Sequence, residues 1–80
     1  MTYSDKYNEI VDMYNGYAND INTQYDNNKN DIQNKPITED YTIEDQQREL
    51  SENEINRKNA LNDNEIAKQN ALTKYDTDYK

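Results

Sequence analysis

The 80-residue sequence contains no cysteine, histidine, tryptophan or phenylalanine, and it has one glycine and one proline. The lack of cysteine excludes disulfides and thiolate metal sites. Nucleophile-and-base catalysis is effectively excluded as well, because the two serines, Ser4 and Ser51, have only carboxylates as candidate bases. The sequence therefore predicts a protein that is not an enzyme, with no catalytic residues, no cofactor and no metal site.

Aliphatic side chains are also scarce. Leu, Ile and Val together number eleven, about 14% of the chain, and the formal net charge is −8. This combination is typical of disordered proteins. A single domain of this size buries little apolar surface, and the free energy gained from that burial is small beside the conformational entropy lost on folding. We therefore expect the chain to take its order from neighbouring protein subunits, either copies of itself or other members of a larger complex.

Two classes of partner are unsupported by the composition. No stretch approaches the roughly 20 apolar residues of a membrane span, and no basic leader precedes an apolar run, so the chain is expected to be soluble and without a membrane partner. The acidic balance argues against direct binding to nucleic acid, which requires clustered Lys and Arg. Its 14 Asn and 8 Tyr use A/T-rich codons and suggest an A/T-rich genome, which many bacteria and their phages have.

Pro36 divides the chain into a Tyr-rich helix with an Asn-rich linker, residues 1–36, and a second helix, residues 37–80, which together form one structural unit. The first helix is predicted at about residues 3–33. Gly16 lies within it and indicates either a bend or a close neighbour. The larger side chains follow one helical stripe. They are Tyr3, Tyr7, Ile10, Tyr14, Tyr17, Ile21, Tyr25 and Ile32.

The tyrosines of this stripe predict an interface core, and a stacking platform for sugars or bases is the alternative. Asn28 lies on the stripe and either fixes register or is simply exposed. The second helix is predicted to begin with Thr38 as its N-cap. Ion pairs between residues four apart are expected from Glu44 to Arg48 and from Glu54 to Lys58.

The second helix contains an eleven-residue repeat, LSENEINRKNA followed by LNDNEIAKQNA, at residues 50–71. Since eleven residues complete about three turns, the repeat favours one continuous helix with Leu50, Leu61 and Leu72 nearly in phase. A series of short helices that restart at capping boxes is the alternative. Ile55 and Ile66 fall on a different side from the leucines, which indicates a helix with two neighbours.

The sequence thus predicts an all-α fold, with two long helices in a coiled-coil or helical-bundle assembly. Whether the helices fold back or extend end to end is left open. The interface residues are predicted to be Tyr7, Ile10, Tyr14, Tyr17, Ile21, Leu50, Ile55, Leu61, Ile66 and Leu72. The favoured function is an oligomeric structural or assembly protein, for example in a phage virion. The alternatives are an acidic inhibitor that mimics nucleic acid and a segment that folds on a partner.

Overall fold

The computed structural model describes residues 2–79, and within that range it contains two helices and no strand. Helix α1 spans Tyr3–Asn34 and helix α2 spans Ile43–Tyr79. The helices run antiparallel and pack along their length, so that the ring of Tyr3 stacks on that of Tyr75, with 5.1 Å between centroids. The chain is therefore a helical hairpin measuring 63 × 17 × 10 Å. The predicted all-α class is confirmed for these residues.

Helix α1 begins with a capping box. The backbone N–H of Asp5 donates to the hydroxyl of Thr2, and the backbone N–H of Thr2 donates to the carboxylate of Asp5, both at 3.2 Å. The helix ends before Lys35, whose backbone is extended at φ −67° and ψ 132°, as the following Pro36 requires. The predicted bounds of α1 agree with the observed ones within one residue.

The predicted start of the second helix at Thr38 is wrong. Thr38 belongs to a turn, in which its hydroxyl accepts hydrogen bonds from the backbone N–H groups of Asp40 and Tyr41. The cap is four residues later, where Thr42 and Asp45 exchange hydrogen bonds of 3.0 and 3.2 Å. Thr38 does not cap the helix because a capping box needs an acceptor side chain three residues after the cap, and Tyr41 occupies that position.

Helix α2 is continuous across the repeat, which confirms the single-helix interpretation over a series of restarting helices. The predicted ion pairs were each displaced by one residue. Arg48 pairs with Asp45 at 3.2 Å, since Asp45 is held in place by the cap. Glu54 pairs with Arg57, because both side chains lie on the side of α2 that packs against α1.

Gly16 lies within α1, and a Cβ added there would meet no atom within 4 Å. The close-neighbour explanation for this glycine is therefore wrong. Its lack of a side chain is not needed for helix packing, and it carries the usual cost of glycine in a helix, about 1 kcal/mol relative to alanine.

The hydrophobic core between the helices is thin. Among the described residues Leu72 is the only buried side chain, at 7% exposure. Leu50 and Leu61 are half-buried. Neither described helix combines the length and apolar character needed to cross a membrane.

Candidate interaction surface

Polar side chains of α2 fix its position against α1. Four of them donate hydrogen bonds to backbone carbonyl oxygens of α1, over distances of 3.0–3.2 Å. These seam hydrogen bonds join Gln46 to Ile32, Asn53 to Tyr25, Asn64 to Tyr14, and Tyr75 to Tyr3. A carbonyl oxygen has two lone pairs, so it can accept such a bond in addition to its own helical one.

The seam hydrogen bonds keep a single register. A step of eleven residues forward in α2, from Asn53 to Asn64, is matched by a step of eleven back in α1, from Tyr25 to Tyr14. A slip of α2 by one residue would move every donor away from its carbonyl at once. The polar seam thus specifies alignment where the few apolar contacts do not.

These contacts explain a repeated residue whose role the sequence interpretation missed. Asn53 and Asn64 occupy the same place in the two repeat units and make the same contact. A signal was available in the first helix, because Tyr3, Tyr14 and Tyr25 are themselves eleven residues apart. The same tyrosines also fit the three- and four-residue steps of a heptad stripe, which hides the longer spacing.

A cluster of tyrosine rings closes the end of the hairpin where both termini lie. The ring of Tyr3 contacts those of Tyr75 and Tyr79, with centroids 5.1 and 4.7 Å away, and these two rings also contact each other. The hydroxyl of Tyr3 donates to the carboxylate of Asp76 at 2.9 Å, and this bond raises the pKa of Tyr3. Burial raises the pKa of Tyr75. The cluster ties the two helix ends together with rings and one charge-assisted bond.

A second polar cluster lies halfway along the seam. The guanidinium of Arg57 stacks over the ring of Tyr25 at 4.3 Å from its centroid and pairs with Glu54. A hydrogen bond between Tyr25 and Glu54 raises the pKa of the tyrosine and, together with Arg57, lowers the pKa of the carboxyl. The Nε atom of Arg57 is buried without a hydrogen-bond partner in the described part of the chain.

The third cluster closes the turn. The hydroxyl of Tyr41 donates to Glu49 at 2.6 Å, and the ammonium of Lys35 pairs with the same carboxylate at 3.1 Å. Burial, followed by the bond to Glu49, raises the pKa of Tyr41 to about 12. The bonds from Tyr41 and Lys35 lower the pKa of Glu49. These contacts attach the connecting segment to α2.

The structure divides the predicted interface residues into two groups. One group packs in or beside the seam, where Leu72 is buried and the rest are half-buried. This group comprises Ile10, Tyr14, Ile21, Leu50, Leu61 and Leu72. The other group is exposed, with 36% exposure at Tyr7, 47% at Tyr17, 56% at Ile55 and 52% at Ile66. Asn28 is exposed at the edge of the seam, where its amide lies 3.5 Å from that of Asn53.

Helix α2 has two distinct sides. At about 100° per residue, Leu50 and Leu61 lie about 60° round the axis from Asn53 and Asn64, respectively. Ile55 and Ile66 lie about 160° from Asn53 and Asn64, respectively, on the side opposite α1. We call the side with Ile55 and Ile66 the outer face of α2. It is an apolar feature with no neighbour in the hairpin.

A groove of about 240 Å³ runs beside the seam, and its polar lining consists of amides and one cation. Those residues are Gln24, Asn28, Asn53, Asn56 and Arg57. Within residues 2–79, no three carboxylates converge as a metal ion would require. No family model, curated protein or solved structure matches the chain.

Proposed function

We propose that this protein is a non-enzymatic structural component that assembles with copies of itself, or with other subunits, through the outer face of α2. The observation that carries the proposal is the contrast in burial. One side chain of residues 2–79 is buried, while large apolar side chains such as Ile55, Ile66 and Tyr17 are about half exposed. Exposed aliphatic residues at regular helical spacing are the usual contact points of helical assemblies.

The eleven-residue period is the second support for this proposal. It places Ile55 and Ile66 nearly in line, about 17 Å apart, so that a straight neighbouring helix can contact both. A heptad repeat would instead twist its stripe around the axis in a left-handed supercoil. A bundle of nearly straight hairpins suits a virion or a similar large particle. The phage setting itself is inferred from the small size, the many residues with A/T-rich codons and the helical architecture.

Sedimentation equilibrium combined with circular dichroism over a concentration series tests the proposal. We expect the mass to rise above that of one chain with concentration, and the helical signal and its thermal midpoint to rise with it. A matched pair of variants identifies the surface. Ile66→Gln should reduce the association, whereas Ile37→Gln, at 47% exposure in the turn, should not.

Two other outcomes would contradict self-assembly. A stable helical monomer at every concentration would favour the acidic inhibitor, whose carboxylates are densest at residues 39–54. A chain that stays unfolded at every concentration would favour a segment that folds on a different protein. Either result would replace the homo-oligomer with a complex of unlike chains.

A further inference from the structure

We propose that the outer face of α2 binds the same face of a second copy, with the two helices antiparallel about a two-fold axis at the level of residues 60 and 61. This inference rests on the self-assembly proposed above and specifies its partner, orientation and register. Its central contacts are those of Ile55 with the partner's Ile66 and of Ile66 with the partner's Ile55.

The position of the two isoleucines favours this arrangement. Both are more than half exposed, and they lie within about 20° of one line along α2. A two-fold axis midway between them makes the surface self-complementary, as an interface between identical patches must be. The same operation places Asn59 opposite the partner's Asn62, so that amide faces amide between the two apolar contacts. A shift by one helical turn would leave each isoleucine against a polar side chain.

Charge selects the antiparallel orientation over the parallel one. Residues 39–54 carry seven carboxylates and one arginine, whereas residues 67–79 carry two lysines and two aspartates. A parallel pair in register would place the acidic stretch of one copy beside that of the other, which is unfavourable. The antiparallel pair places it beside the neutral stretch. It also brings Lys58 within one turn of the partner's Glu65, on the same flank of the interface.

The direction of the outer face determines the shape of the pair. Since the face points away from α1, the four helices lie side by side in the order α1, α2, α2 of the partner, α1 of the partner. The seam hydrogen bonds of each hairpin stay intact in this arrangement. The contact area is narrow, with two isoleucines per copy, so we expect association at micromolar or higher concentration.

Distances between spin labels test the orientation. The sequence has no cysteine, so Ser51→Cys and Asp63→Cys each provide a single labelling position, and both residues are exposed on the flanks of the proposed interface. In the antiparallel pair, residue 51 of one copy and residue 51 of the other are separated by nineteen residues along the helix axis, which is about 30 Å. Residue 63 lies five positions from its copy and should give a distance below about 20 Å. Dilution with excess unlabelled protein should abolish both signals.

The possible results separate this inference from the proposal on which it rests. Short distances at both positions would mean parallel pairing and would overturn the inference, while self-assembly would stand. The absence of coupling at any concentration, in a protein that sediments as a monomer, would overturn both. Ile66→Gln should weaken the association by roughly tenfold, since it removes both symmetry-related contacts. If that variant associates like the original chain, with Ile37→Gln as control, the outer face is not the interface.

Discussion

Truncation of Leu72 tests whether the side of α2 identified here is the one that holds the hairpin together. Leu72 is 7% exposed, whereas Ile66, six residues earlier in the same helix, is 52% exposed. Leu72→Ala and Ile66→Ala therefore remove aliphatic groups of similar size from two sides of one helix that lie about 120° apart. The comparison needs no assumption about the total stability of the chain.

The structure sets the expected magnitudes. Leucine-to-alanine changes at buried positions cost about 2–5 kcal/mol, with the lower values at sites that can collapse. A hairpin 10 Å thick in its narrowest direction leaves only a shallow gap, so we expect about 2 kcal/mol for Leu72→Ala. Ile66→Ala should cost about 0.5 kcal/mol or less in the monomer, because half of the side chain is exposed and alanine is the better helix former.

Urea denaturation followed by circular dichroism measures both values. The protein should be studied at a concentration where it sediments as a monomer, with an osmolyte added if the original chain is only partly folded. At higher concentration the difference between the two variants should narrow, because Ile66→Ala then also weakens association. If the two variants lose the same free energy of unfolding in the monomer, the assignment of an inner and an outer side to α2 is refuted.

Four further predictions follow from single residues. Gly16→Ala should raise the free energy of unfolding by about 1 kcal/mol in thermal denaturation, because an added Cβ meets nothing within 4 Å; no gain would mean that α1 is not helical there. Asn64→Ala should lower stability by up to about 1 kcal/mol, the net value of its bond to the carbonyl of Tyr14, with better helix propensity as a partial offset. The pKa of Glu49 is lowered below its ordinary 4.5, so its stabilising contribution is present above pH 4.5 and is lost as the pH falls through the lowered value. Glu49→Gln lacks this contribution, so it should be less stable than the original chain above pH 4.5, and the difference in the free energy of unfolding should disappear on acidification. The pKa of Tyr41 is raised from 10.0 to about 12, so its contribution is present below pH 10 and is lost towards pH 12, and Tyr41→Phe should remove this late step from an ultraviolet titration.

The sequence was sufficient to predict the regular parts of this fold. Two helices, their division near Pro36 and the bounds of α1 followed from the spacing of apolar residues and from the geometry that proline imposes. The continuity of α2 followed from the absence of Gly and Pro after residue 36. These features depend on interactions within a few residues along the chain, which sequence patterns record directly.

Features that depend on contacts between the helices were not accessible in the same way. The choice of a hairpin over an extended arrangement depends on seam contacts such as that of Asn53 with Tyr25, between residues far apart in the chain. Asparagine is a poor helix former and suggests turns, so its structural use within α2 was missed. Thr38 and Thr42 are both good caps on residue type alone, and the reciprocal partner Asp45 decided between them.

The acceptors of the seam hydrogen bonds belong to the main chain of α1. Mutations in α1 and in α2 therefore affect these bonds differently. Replacing the side chain of Tyr14 or Tyr25 leaves the carbonyl in place, whereas replacing Asn53 or Asn64 deletes the donor. During sequence drift, α1 can therefore change its aromatic residues and keep alignment with its neighbour. Distant versions of this protein should retain the amides of α2 at eleven-residue intervals after the tyrosines facing them have been replaced.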